Sequence, residues 1–298
     1  MHNKRRGIAL LITLMFVIVI TVAIGFGLKQ VNESSKIIKQ ENFLYQSTII
    51  VEDILKILQN SQDVKRIVDS NNSSEFYVFL SQAAFIPFEV SGLEVVLKIS
   101  SARGKFNPSQ LDQNSSELMR QYLNNNGVNG QYLELLVDNM SKIKVDNSYN
   151  SRIFDEEPNL FRDYIASSKH LQKINNFYAK EYNDNALSNI DFDNLFLYTS
   201  DKNTTVDLNY ATREVWELFL GASKERAEFL SDNSGFYDSI ESLELNDAEK
   251  ENLAHFKTSF FEPTLFIEID ISENGVSSKI SFEYDIKNKR GSNFAYQI

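Results

Sequence analysis

At 298 residues, with 42% hydrophobic and 24% charged side chains, the chain can bury a real core in one large domain or two modest ones. It has no cysteine, which excludes disulfides, thiolate metal sites and a thiol nucleophile. The net charge of −11 is concentrated in residues 109–256, which hold 26 Asp/Glu against 13 Lys/Arg; such a block repels phosphate, argues against nucleic-acid binding and admits a cation or a basic partner.

The chain opens Met1-His2-Asn3-Lys4-Arg5-Arg6-Gly7, and an apolar run follows from Ile8 to Leu28 with no charge until Lys29. At about 1.5 Å per residue this run gives roughly 32 Å of helix, enough to cross the hydrocarbon of a bilayer. The basic triplet before it sets the N-terminus in the cytoplasm and the remainder outside. A secretory signal peptide cut near Ala23-Ile24-Gly25 and a plain single-pass anchor are the rivals. Against the first, apolar positions continue at three- and four-residue spacings through Ile37, Ile38, Leu44, Ile49, Ile50, Ile54, Leu55 and Leu58, with no proline before Pro87. One long helix is expected, membrane-bound in its first half and packed on a domain in its second.

A polar patch from Asp69 to Glu75 comes next, and then Leu93, Val95, Leu97 and Ile99 alternate with their neighbours as a half-buried strand does. Near the C-terminus Leu265, Ile267, Ile269 and Ile271, the turn Glu273-Asn274-Gly275, and Ile280, Phe282, Tyr284 and Ile286 predict a β-hairpin. Between these regions the periodicity predicts helices over Leu118–Leu123, Tyr132–Met140, Leu160–Ile165, Leu171–Tyr182, Ala211–Leu220, Lys224–Leu230 and Asp247–Phe256. The expectation is an α+β chain in which a helical domain, residues 109–256, is inserted into a sheet domain made of 29–108 and 257–298.

Lys4-Arg5-Arg6-Gly7 abutting an apolar helix resembles the class III leader of type IV pilins and pseudopilins. The resemblance implies that 1–7 is a leader cut by prepilin peptidase between Gly7 and Ile8, that Ile8 is then N-methylated, and that 8–28 is the transmembrane half of the first helix. Major pilins carry a glutamate five residues after the cut; here that position is Ile12, and the absence of that carboxylate resembles the K-type minor pseudopilin family, GspK, of type II secretion systems. Arg103-Gly104-Lys105-Phe106-Asn107-Pro108 is similar to that family's Gly-Arg-Phe-Asn-(Leu/Pro) stretch. Val206-Asp207-Leu208-Asn209-Tyr210-Ala211 is similar to its Ile-Asn-Leu-Asn-Thr-Ala stretch, and Asn209 is expected there as a helix N-cap.

This resemblance implies a pseudopilin α+β fold and a role in assembly rather than catalysis, at the tip of a periplasmic filament that starts there and helps move exported proteins. The implied partners are I- and J-type minor pseudopilins, the major pseudopilin, prepilin peptidase, the bacterial inner membrane and exported proteins. The implied location is that membrane, with the C-terminal domain in the periplasm. A minor pilin of a type IV pilus or DNA-uptake system is the alternative within the class. Outside it stands a membrane-anchored adhesin or receptor with a calcium-stabilised head.

For catalysis the inventory is thin: His2, His170 and His255 sit in unrelated settings, and no metalloprotease, nucleophile-elbow or P-loop pattern occurs. GspK proteins can bind calcium in the inserted domain, so by resemblance Asp155, Glu156 and Glu157, and Asp191 and Asp193, are candidate ligands, although none follows EF-hand spacing. Asn209 to Leu243 also resembles a helix-hairpin-helix or SAM-like module. Its hairpin has one glycine, Gly221, and its neighbours Glu214, Glu217, Glu225 and Glu228 favour helix packing over phosphate contact. Asn114 and Asn203 lie in Asp-x-Asn-x-Ser/Thr contexts that some bacterial glycosylation systems accept.

Overall fold

The computed structural model describes residues 41–298 apart from 71, 274 and 298. The leader, the apolar run 8–28 and the Gly7/Ile8 cleavage and methylation site therefore lie outside the described residues. Among the described residues no helix is long and apolar enough to cross a membrane.

Helix α1 covers residues 41–60. Its buried positions, Phe43, Ser47, Ile50, Val51, Ile54 and Leu58, recur at three- and four-residue spacings; Ile50, Ile54 and Leu58 are among the expected ones, whereas the expected Leu44 and Ile49 give way to Phe43, Ser47 and Val51. Leu44, Tyr45, Ile49 and Ile57 stay exposed. One compact unit holds, of the described residues, 41–57 with 273–276; a larger one holds 58–272 with 277–298.

The larger unit begins with α2 (Gln62–Ser70) and α3 (Ser73–Ala83). The second of these falls partly on the polar patch, where Asn72 accepts from the Ser74 amide at 2.8 Å and caps the helix while Phe76, Leu80 and Ala83 supply its buried face. Strands β1 (Ile86–Val90) and β2 (Leu93–Ser101) follow, joined by Ser91 and Gly92, both with positive φ, as a two-residue hairpin requires. After the helical segment come β3 (Val206–Asp207) with its parallel partner β4 (Thr258–Ser259), then β5 (Thr264–Glu273), β6 (Val276–Asp285) and β7 (Arg290–Gln297).

The main sheet runs β1-β2-β5-β6-β7. Antiparallel register sets Val95 opposite Ile271, Leu97 opposite Ile269 and Ile99 opposite Ile267, so one face of the pair is a buried aliphatic ladder. The other face carries charge: Lys98 reaches Glu268 at 3.0 Å and Asp270 at 2.8 Å, and Lys279 reaches Glu268 at 2.6 Å. The two edge strands, β1 and β7, have no buried residue and hence none of the alternation that made the central strands legible.

Helices α4 (Gln113–Asn125), α5 (Gln131–Asn139), α6 (Ile153–Glu156), α7 (Ser168–Tyr182), α8 (Phe192–Leu195), α9 (Arg213–Leu220), α10 (Lys224–Asp232) and α11 (Asp247–Leu253) occupy the middle of the chain. They share one hydrophobic cluster running from Phe106 to Phe256, with Trp216, Tyr132, Tyr178 and Phe219 fully buried. Phe106 and Phe256, at the two ends of this segment, have ring centroids 5.5 Å apart, and Phe256 stacks on Phe219 at 4.0 Å.

One predicted helix is absent. Leu160–Ile165 is irregular. The hydrogen bonds there are not those of a helix: the Leu160 amide donates to Glu157, the Arg162 guanidinium to the Pro158 carbonyl at 2.5 Å, and the Arg162 carbonyl accepts from the Lys142 amide at 2.6 Å. Leu160 and Ile165 still enter the core, at a spacing of five that no single helix face provides.

Candidate functional site

The two internal motifs meet. The Asp207 amide donates to the Arg103 carbonyl at 2.8 Å, and the Thr212 amide donates to the Gly104 carbonyl at 3.1 Å. At Gly104 a Cβ would lie 2.1 Å from the carbonyl oxygen of Tyr210, so only glycine admits this approach of backbone to backbone. Phe106 continues the contact by bonding to Leu195 and Leu197 in an isolated parallel bridge. Asn107, buried, caps the short turn Pro108–Gln110 and donates to the Asp201 carbonyl at 2.7 Å. The returning chain joins the same place, for the amides of Val206 and Leu208 donate to the carbonyls of Lys257 and Ser259.

Asn209 is not the N-cap the sequence suggested. Helix α9 starts two residues after the motif's last position, with Thr212 as its cap, accepting from the Val215 amide. The Asn209 amide is fully buried and has other partners: its Nδ2 donates to the carbonyls of Tyr237 and Phe260, both at 2.8 Å, and its Oδ1 accepts from the Tyr237 amide at 2.8 Å. A cap has one helix to serve; this side chain pins two loops to a third.

Asp207, also fully buried, accepts from the amides of Asn209 (3.0 Å) and Glu262 (2.8 Å). Burial pushes its carboxyl up to about 6, against the pull of those two donors. Arg103 lies 2.9 Å from Glu283 of β6, which also accepts from Asn293 of β7 at 3.1 Å, so the crossing is tied to the sheet by a buried charge pair. The chemistry of the site is that of a joint: Asn107, Asp207 and Asn209 each hold backbone groups.

The candidate calcium ligands are dispersed. Asp155, Glu156 and Glu157 are exposed around α6, and Glu156 is paired with Lys180 at 2.7 Å. Asp191 caps α8 through the Asn194 amide at 3.1 Å, and Asp193 accepts from the Tyr198 hydroxyl at 3.1 Å. Among the described residues no three His, Asp or Glu side chains gather as a metal-holding group. In this arrangement the five acids do not fit a cage of six to eight oxygens.

His170 is more buried than its surroundings in the sequence suggest. Its Nδ1 accepts from the Ala166 amide, its Nε2 has no partner, and burial lowers its pKa. Asn114 and Asn203 are exposed; Asn114 lies 3.4 Å from the His255 ring. In the helix-hairpin-helix stretch α9 packs on α10 and α11, Asn252 donates to the Leu220 carbonyl at 2.8 Å, and Arg213 is paired with Glu214 and Glu217. These contacts are the helix packing expected of it.

A pivotal residue had no place in the sequence reading. Asp138, fully buried on α5, accepts four hydrogen bonds, from the amide and side chain of Asn150 (3.1 and 3.0 Å) and of Ser151 (2.8 and 2.7 Å). Its only trace is positional: a carboxylate three residues after Leu135, on the face otherwise filled by Leu135 and Leu136.

Among the described residues the fold combines the helix over 41–60, a five-stranded antiparallel sheet and a large helical segment between β2 and β5. No family model and no curated protein matches the chain. Five chains of solved structures do. One belongs to the crystal structure of the GspK-GspI-GspJ complex of the type 2 secretion system from enterotoxigenic Escherichia coli, with a TM-score of 0.55 over 87% of this chain and 99% of that one, at 9% identity. The likeness is one of fold, and it reaches a complex that contains the K-type subunit to which the leader and the two motifs point.

Proposed function

We propose that this chain is a minor pseudopilin of the K type, a structural subunit that caps the tip of a periplasmic filament and helps to start it. What supports the reading is the fold likeness to a chain of the GspK-GspI-GspJ complex, which runs over nearly the whole length of both chains. The natural partners are then I- and J-type minor subunits, followed by the major pseudopilin. Prepilin peptidase cuts between Gly7 and Ile8, Ile8 is methylated, and residues 8–28 hold the subunit in the inner membrane with its head in the periplasm.

Two features support a position at the tip. The segment 109–256 makes the head far bulkier than stacked shaft subunits can be. Ile12 also stands where a shaft subunit carries the glutamate that neutralises a neighbour's N-terminal amine in an apolar setting. An unpaired charge there costs several kcal/mol, so this chain is poorly suited to lie beneath another free amine. Immunogold labelling of overexpressed filaments is the test. Label confined to one end is expected; label spaced along the shaft overturns the tip assignment.

A further inference from the structure

The molecule has a cleft that its structural role does not use. It has a volume of ≈ 590 Å³ and opens between the charged face of the sheet and the helical segment. Phe266 of β5 supplies apolar floor and is partly exposed, at 38%. Ser100 of β2 and Ser281 of β6 add hydroxyls beside it, and Lys105 and Tyr198 come from the opposite side. The volume lies within the range, roughly 300–1,000 Å³, that small-ligand sites occupy.

Lys105 sets the chemistry. It is half-buried, and among the described residues its ammonium has neither a hydrogen-bond nor an ion-pair partner. Burial lowers its pKa, and the charges of Asp193 and Asp191 offset this only in part. Those two carboxylates are already engaged, Asp193 by the Tyr198 hydroxyl and Asp191 by Asn194 at the start of α8. Glu283, the other acid lining the cleft, is taken by Arg103 and Asn293. The cleft thus offers an unspent cation and spare hydroxyls above an aromatic floor. An anion with an apolar body satisfies both at once.

We propose that this cleft binds a carboxylate carried on an aromatic or aliphatic group, with the carboxylate on Lys105 and the apolar body against Phe266. A free organic acid and the C-terminal residue of a polypeptide share that chemistry. The site stands on the cleft alone and does not depend on the pseudopilin reading.

Calorimetric titration of the full chain in detergent micelles tests it with four probes. They are N-acetylphenylalanine, its amide, and the tetrapeptide acetyl-Gly-Ser-Ala-Phe with a free and with an amidated C-terminus. The acids are expected to bind at least tenfold tighter than the amides, and Lys105→Met to remove that preference. The acid-to-amide ratio on the unaltered chain reads the proposal even if the variant does not fold. A peptide acid tighter than N-acetylphenylalanine assigns the site to polypeptide ends; the reverse order assigns it to free acids. Failure of both acids to bind, equal binding of acid and amide, or full retention of the preference in folded Lys105→Met overturns it.

Discussion

The sheet and the helical segment are held together in different ways. In the sheet, cohesion comes from repetition: Val95, Leu97 and Ile99 face Ile271, Ile269 and Ile267, and each pair does what the next one does. In the helical segment it comes from an aromatic core and from single buried polar side chains that each fix a particular loop. Asp138 holds the chain after α5, Asn209 holds Tyr237 and Phe260, and Asp207 holds Glu262. Losing one aliphatic pair thins a ladder that remains. Losing one pin takes the partner from several buried or partly buried groups at once, with no repeat beside it to take over. Redundancy protects the first region, and specificity is concentrated in the second.

The hardest way to break this contrast is to separate the regions. Residues 103 and 257 both bond to the strand 206–207, and Phe106 touches Phe256, so the segment leaves and rejoins the sheet at one place. Replacing 109–256 by a short Gly/Ser linker is expected to leave the β signal in circular dichroism, although sheet and helices form part of one compact unit. Loss of that signal would show that the sheet relies on the helices.

Next in size is Asp138→Ala. Four donors lose their acceptor, at roughly 1–3 kcal/mol for each one that stays buried, so denaturant titration should report a loss of about 3 kcal/mol or more. Ile269→Val in the ladder, at about 0.5–1.5 kcal/mol, is the comparison. Equal costs would erase the distinction between pins and ladder.

Asp207 gives a pH signature. Its folded carboxyl lies at about 6, above the ordinary value of 3.8. The stabilisation from the protonated form is therefore complete below about pH 4 and lost as pH rises through about 6, to an extent of order 3 kcal/mol. The stability gap between the unaltered chain and Asp207→Asn should shrink from pH 4 to pH 7; a constant gap contradicts the burial argument. Gly104→Ala forces the Tyr210 backbone carbonyl away from the new methyl and is expected to cost about 1–3 kcal/mol, read by denaturant titration.

The same contrast explains what could be read from the sequence. Strands β2, β5 and β6 announced themselves because alternation of period two is a property of many residues together. The helices α4, α5, α7, α9, α10 and α11 did so through their three- and four-residue spacings. Edge strands β1 and β7 bury nothing, and so repeat nothing. Leu160 and Ile165 enter the core from irregular chain, which periodicity mistook for a helix. The joint was half legible. Both motifs were visible, and they do meet, but Asn209 looked like a cap because its partners, Tyr237 and Phe260, lie 28 and 51 residues away. Asp138 was illegible for the same reason, since its value lies in a loop that only the fold brings back.

The reading of the whole chain as a pseudopilin rests on what happens at its first residues. Mass spectrometry of the N-terminus, on protein made in a host with prepilin peptidase, tests it most directly. The account predicts a chain that begins at Ile8 with a methylated amine. A chain that begins at Met1, or after a cut near Gly25, would contradict it.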